Sequence, residues 1–177
     1  MVLDEFDSNN YEWSEFSTKK SQAIIINGKM HMESSVDEPA TAFCYAPIDI
    51  TSDFNVKCDV LVKKIDDDNV FGLLLDYLDE DNFLAFKVTE GYACFEQYRE
   101  GRRVRKFPPC QIKLKEQKKA RVELEVKKES DRFIFNINGV KAMQVRIDPN
   151  YEVVSTGIGF LIGGKQKVDF DNLEIEQ

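Results

Sequence analysis

The side chains best suited to chemistry in this chain lie along one strand-like run. Tyr92, Glu96 and Tyr98 share one parity between Tyr92 and Tyr98, with Arg99 just past the end. An extended backbone therefore puts the two rings and the carboxylate on one face. Aromatic faces stack on sugar rings and planar polar groups take hydroxyls, and Tyr77 adds a further ring to such a set. The alternative is that these tyrosines roof the core with their hydroxyls in water. Asp76 and Glu96 are also the carboxylates a glycoside-processing enzyme could use. Retaining hydrolysis needs two carboxyl groups about 5 Å apart, and the sequence does not pair them.

Other chemistries find less support. His31 is the sole histidine, it has no Cys or Ser placed to pair with it, and no Gly-x-Ser-x-Gly occurs. A nucleophile–base–acid triad has no material here. Gly163-Gly164-Lys165 lacks the flanking Gly and Ser/Thr of a phosphate loop, and Gly157-Ile158-Gly159 sits in a strand pattern. Trp13, the only tryptophan, follows a polar segment. It could offer a stacking surface to a sugar or cap one end of the core.

The elements that must position these groups read as strands throughout. Arg132 to Val145 holds two β-rich runs joined at Asn138-Gly139, and Ala23 to Met32 holds two more joined at Asn27-Gly28. Both central residues of a type I′ turn need positive φ, which Asn tolerates and Gly adopts freely. Further turns are expected at Asp66–Asn69, Asp79–Asn82, Glu90-Gly91 and Glu100-Gly101. Phe54 to Val62 and Ala120 to Val126 alternate apolar and polar residues, the mark of half-buried strands. Val70 to Tyr77 is almost wholly apolar, as in a strand covered on both faces. Thr41–Tyr45 reads as a short strand closed by Pro47, and helix is expected nowhere except a turn near Lys115–Lys118.

Residues 1–177 fit one domain. The net charge of -8 argues against a general nucleic-acid binder. Between Arg99 and Lys128, however, twelve basic residues face four acidic ones, a local balance of +8. That stretch could dock an acidic partner, or it could be ordinary solvated edges guarded by Lys and Arg. No apolar run of about 18 residues and no basic-then-apolar start is visible, so neither a membrane span nor a signal peptide is expected. Cys44, Cys58, Cys94 and Cys110 lack the C-x-x-C spacing of zinc or thioredoxin-type sites. Reduced core thiols are expected, which favours the cytoplasm, a secreted domain with its signal removed being the alternative.

A family resemblance emerges from the order of these signals. Phe71-Gly72-Leu73-Leu74-Leu75 is followed by the acidic turn and the aromatic strand Phe83-Leu84-Ala85-Phe86. Then come Gly91-Tyr92, Ile137-Asn138-Gly139, Gly157-Ile158-Gly159 and the terminal Phe170-Asp171-Asn172-Leu173-Glu174-Ile175. With Leu3–Phe6 as a first strand, the chain resembles the concanavalin A-like lectin/glucanase superfamily, the laminin-G-like jelly rolls. The resemblance implies an all-β, two-sheet antiparallel sandwich (jelly roll) of about a dozen strands. It implies a ligand face on the concave sheet, where the strand carrying Tyr92, Glu96 and Tyr98 could lie. It also implies a possible structural calcium near the paired first and last strands. Asp4, Asp169 and Asp171 offer hard oxygen ligands there, unless Asp171-Asn172 only satisfies backbone groups.

The glucanase branch carries a strand reading E-x-D-x-x-E. The nearest match, Glu129-Ser130-Asp131-Arg132-Phe133-Ile134, lacks the last carboxylate and falls on a turn. The expected function is therefore a non-catalytic binding module, with a glycan as ligand. A divergent glycoside hydrolase and a protein-interaction domain using the basic 99–128 region are the alternatives.

Overall fold

A computed structural model describes residues 1–46, 48–63, 69–89, 91–112 and 120–177. In chain order the strands are β1 (Val2–Asp4), β2 (Phe16–Ser17), β3 (Ser21–Ile25), β4 (Met30–Ser34), β5 (Ala40–Tyr45) and β6 (Phe54–Val62). Then follow β7 (Val70–Asp79), β8 (Asn82–Val88), β9 (Tyr92–Arg99), β10 (Arg102–Lys106) and β11 (Cys110–Gln111). The last are β12 (Ala120–Glu129), β13 (Arg132–Ile137), β14 (Val140–Arg146), β15 (Gly157–Gly163) and β16 (Gln166–Glu176). The two-residue strands β2 and β11 carry too little pattern to be read from sequence. The anticipated turns at Asp66–Asn69 and Glu90-Gly91, the strand stop at Pro47 and the turn near Lys115–Lys118 fall wholly or partly outside the described residues.

All pairings are antiparallel and make two stacked sheets, a jelly-roll sandwich. The back sheet runs β14-β13-β12-β6-β16-β4-β3-β2, with β1 also on β16. The front sheet runs β10-β9-β8-β7-β15-β5, with β11 also on β9. No helix among the described residues is long and apolar enough to cross a membrane.

Local chemistry accounts for the registers. Asn27 and Gly28 adopt φ of 53° and 66°, and Asn138 and Gly139 adopt 53° and 70°. These are the type I′ hairpins expected, and Glu100-Gly101 turns likewise at 51° and 71°. Period-two alternation then assigns the faces. Phe54, Val56, Cys58, Val60 and Val62 point inward from β6, and Val122, Leu124 and Val126 from β12. Between the sheets Phe86 stacks on Phe135 at 4.3 Å and Phe160 on Phe170 at 4.2 Å. Trp13 closes one end of this core, stacked on Phe160 at 4.8 Å, so it caps and does not offer a free face.

The cysteines are free thiols, Cys44 and Cys58 buried and Cys94 and Cys110 half-buried. Burial, with the Asp4 carboxylate nearby, pushes the Cys44 thiol up to about 12. Burial pushes Cys58 upward too, and its Sγ donates to the Asp171 carbonyl at 3.2 Å. A thiol reagent at about pH 8, where only the thiolate reacts, is expected to label Cys110 and Cys94 in the folded protein. Cys44 and Cys58 should react only once denaturant is added, as peptide mass spectrometry would resolve.

Candidate functional site

The outer face of the front sheet gathers most of the aromatic and charged side chains that the sequence singles out. On β7, Phe71, Leu73 and Leu75 point into the core while Leu74 points out. Simple alternation would send Tyr77 inward. Instead Asp76 adopts a φ of 51° and the β7/β8 register shifts between Leu75 and Asp79, a bulge that turns Tyr77 outward beside Leu74. This also explains why β7 reads as covered on both faces. Its outer residues Leu74 and Tyr77 are buried with Ala85 and Leu161 under Phe43, Val70 and Phe83, side chains of the same face.

Strand pairing sets the layout. One row runs Phe43, Gly159, Leu74, Ala85, Glu96 and Lys106, from β5 across to β10. A second runs Thr41, Leu161, Gly72, Lys87 and Cys94. A third joins Phe83, Tyr98 and Arg103. From β5 to β9 this spans about 19 Å at the usual strand spacing. The floor is small and apolar; a Cβ on Gly72 would run into the Phe86 carbonyl.

Aromatic rings cross the face in contact. Tyr45 meets Phe43 at 5.8 Å, Phe43 meets Tyr77 at 4.6 Å, Tyr77 meets Phe83 at 6.1 Å, and Phe83 stacks on Tyr98 at 4.7 Å. Tyr45 is 59% exposed at the sheet edge, with a ring open to solvent. At the other side sits Glu96. Its carboxylate accepts from Lys87 Nζ at 2.5 Å, Arg103 Nη1 at 3.2 Å and the Tyr98 hydroxyl at 3.2 Å. Burial alone would raise the Glu96 carboxyl, but the bond and charge of Lys87, the Tyr98 hydroxyl and the charge of Arg103 outweigh it and hold it below the usual range. A general acid needs the opposite shift.

Of the anticipated ligand residues, Glu96, Tyr98 and Tyr77 come together here. Tyr92 shares their strand face at its far end and is 52% exposed. Arg99 does not join them. It is the last residue of β9 and turns away to Asp76 at 2.5 Å. Fully buried, Asp76 also accepts from the Tyr151 hydroxyl at 2.6 Å and the Val154 and Ser155 amides at 2.8 and 2.7 Å. This hub ties the segment after β14 to β7 and frames a separate cleft of about 390 Å³ lined by Gln97, Arg99, Val104, Arg105, Tyr151 and Val154. Burial and the Asp76 charge push the Tyr151 hydroxyl far above the normal phenol range.

The carboxylates considered for calcium sit in different networks. Asp4 faces the core end, accepting from the Phe6 amide at 2.9 Å and Trp13 Nε1 at 2.8 Å. Asp169 pairs with His31 Nδ1 at 2.6 Å and with Lys63, and Asp171 with Lys29 at 3.4 Å. Among the described residues, no group of three or more His, Cys, Asp or Glu converges as a metal ion would require. Asn172, at a φ of 50° in a β16 bulge, donates to Asp59. The basic stretch is likewise divided. Arg99 to Lys106 lies at the front-sheet edge, Arg121 to Lys128 on β12 of the back sheet, and Lys113 to Lys119 outside the described residues.

The residues missed by sequence reasoning are Phe43, Tyr45, Lys87 and Arg103. A signal was present for the first two, since Ala42 and Cys44 alternate with them. The small residues mark the core face of that strand and the rings its outer face.

No protein-family model matches the chain, and no curated protein does. Solved structures match closely in shape. A Bacillus subtilis protein of unknown function with a galectin-like fold is 13% identical, with 100% of this chain and 95% of that one covered and a TM-score of 0.69. The shared fold is the two-sheet antiparallel jelly roll. Carbohydrate-binding module CBM66 from Bacillus subtilis is 15% identical over 93% of this chain and 95% of its own, at a TM-score of 0.59. The carbohydrate recognition domain of Emp46p, in a metal-free form, is 7% identical over 97% and 93%, at 0.70. At such identities the likeness is one of fold, and function has to be argued from the site.

Proposed function

We propose that this chain is a non-catalytic carbohydrate-binding module of the concanavalin A-like type that takes its glycan on the outer face of the front sheet. The observation that carries this reading is the continuous aromatic row from Tyr45 to Tyr98 ending at the Lys87–Glu96–Arg103 cluster. Apolar ring faces match the C–H faces of sugars, and a held carboxylate beside two cations supplies fixed acceptors and donors for hydroxyls. The carbohydrate-binding and carbohydrate-recognition modules of the same fold support the choice of ligand class.

A thermal-shift screen against oligosaccharides tests it, since a ligand bound only by the folded state raises Tm by mass action. One glycan class is expected to raise Tm. With that glycan, Tyr98→Ala and Glu96→Gln should each weaken binding about tenfold or more in calorimetry, the equivalent of roughly 1.4 kcal/mol or above. An unchanged affinity in both variants, with folding intact, would remove this face from consideration. Running the screen with and without calcium tests Asp4, Asp169 and Asp171 as ion ligands. A shift with calcium alone would mark a structural ion.

A further inference from the structure

The charge on the proposed sugar face is unlike that of the chain as a whole. By strand parity the face carries Lys87 on β8 and Arg103 and Lys106 on β10, grouped around the Glu96 carboxylate of β9. That cluster sets three cations around one anion in a chain of net charge -8.

Donors are also in surplus. Glu96 already receives three hydrogen bonds. Lys87 has three N–H donors and Arg103 five, and each gives Glu96 a single bond. Arg103 keeps 46% of its side chain exposed, and Lys106 is exposed beside it. A group that only accepts, and carries negative charge, complements such a cluster better than a hydroxyl, which must also place its own proton. The face is therefore cationic towards β10.

Resting on the carbohydrate-binding reading, we infer that the glycan is acidic, with a carboxylate or sulfate seated among Lys87, Arg103 and Lys106 and its neutral rings laid towards the half-buried Phe83 and Phe43. The three cations exclude simple neutral glycans from the best fit.

Calorimetric titration with two matched pairs tests this: tetragalacturonate against its methyl ester, and a sulfated galactotetraose against neutral galactotetraose. At least one acidic member is expected to bind tenfold or more tightly than its neutral counterpart, and to weaken as sodium chloride is added. The pair that shows the preference distinguishes carboxylate from sulfate. Lys106→Glu, at an exposed position, should weaken the acidic sugar about tenfold or more, while Arg121→Ala on the back sheet leaves it unchanged. Equal binding within both pairs overturns the inference and leaves the carbohydrate-binding reading standing. So does a neutral glycan of the wider screen that binds when all four of these fail. Failure of every glycan overturns both.

Discussion

Asp76→Ala is expected to cost about 3–5 kcal/mol of folding stability, the usual penalty for removing one partner of a buried ion pair. In a chain of this size that corresponds to a Tm lower by roughly 6–20 °C. The carboxylate is fully buried and receives four donors: the Arg99 guanidinium, the Tyr151 hydroxyl and the amides of Val154 and Ser155. Deleting it leaves the Tyr151 hydroxyl and the two amides without their acceptor and takes the counter-charge from Arg99, which keeps only the Tyr98 and Glu152 carbonyls. Tyr151→Phe removes a single bond from the same hub and should cost only about 1 kcal/mol. Asp76→Asn should fall between, because it keeps one acceptor oxygen but turns an NH2 towards groups that also donate. Urea denaturation of the three variants gives the comparison. If Asp76→Ala proves no worse than Tyr151→Phe, the hub does not hold the segment as described. The same result bears on catalysis, since a carboxylate whose oxygens are filled by structural donors has no free lone pair directed at a substrate.

What was legible in the sequence follows the range of the interactions. The hairpins at Asn27-Gly28 and Asn138-Gly139 could be read because a type I′ turn is set by the two residues that form it. The common face of Glu96 and Tyr98 could be read because period two is a property of the strand itself. Arg99 was misplaced for the complementary reason. Its partners Asp76 and Tyr151 lie 23 residues before it and on the segment after β14, joined only when the front sheet assembles and that segment folds against it. The bulge at Asp76 has no local signature either, since Asp at positive φ is chosen by the donors around it and not by its neighbours in sequence. Lys87 and Arg103 belong to strands on either side of β9, and only the cross-strand register brings both to Glu96. Their meeting is the product of pairing, so a reading of one strand at a time finds the carboxylate and misses the cations.

Trp13→Ala is expected to be as damaging as the loss of Asp76, about 3–5 kcal/mol, through a cavity and not through a stranded charge. The indole is buried, parallel to Phe160 within 4° and packed on Phe6 at 5.5 Å. Phe160 in turn stacks on Phe170, so the gap opens against a column of rings that cannot collapse without losing its own contacts. Trp13→Phe keeps much of that packing but removes the Nε1–H donated to Asp4, leaving a buried carboxylate with one donor fewer, for a cost of about 1–3 kcal/mol. The effect should also reach the proposed ligand face. Ser14, next to Trp13, donates its amide to the Phe43 carbonyl at 2.8 Å and accepts the Phe43 amide on Oγ at 2.9 Å. That pairing covers the edge strand β5, which presents Phe43 and Tyr45. Hydrogen exchange at the Phe43 amide should therefore accelerate in Trp13→Ala at temperatures where the chain is still folded. Unaltered protection there, together with a lowered denaturation midpoint, would mean that the core end and the β5 edge open independently. The tryptophan would then support the fold without bracing the face on which the aromatic row begins.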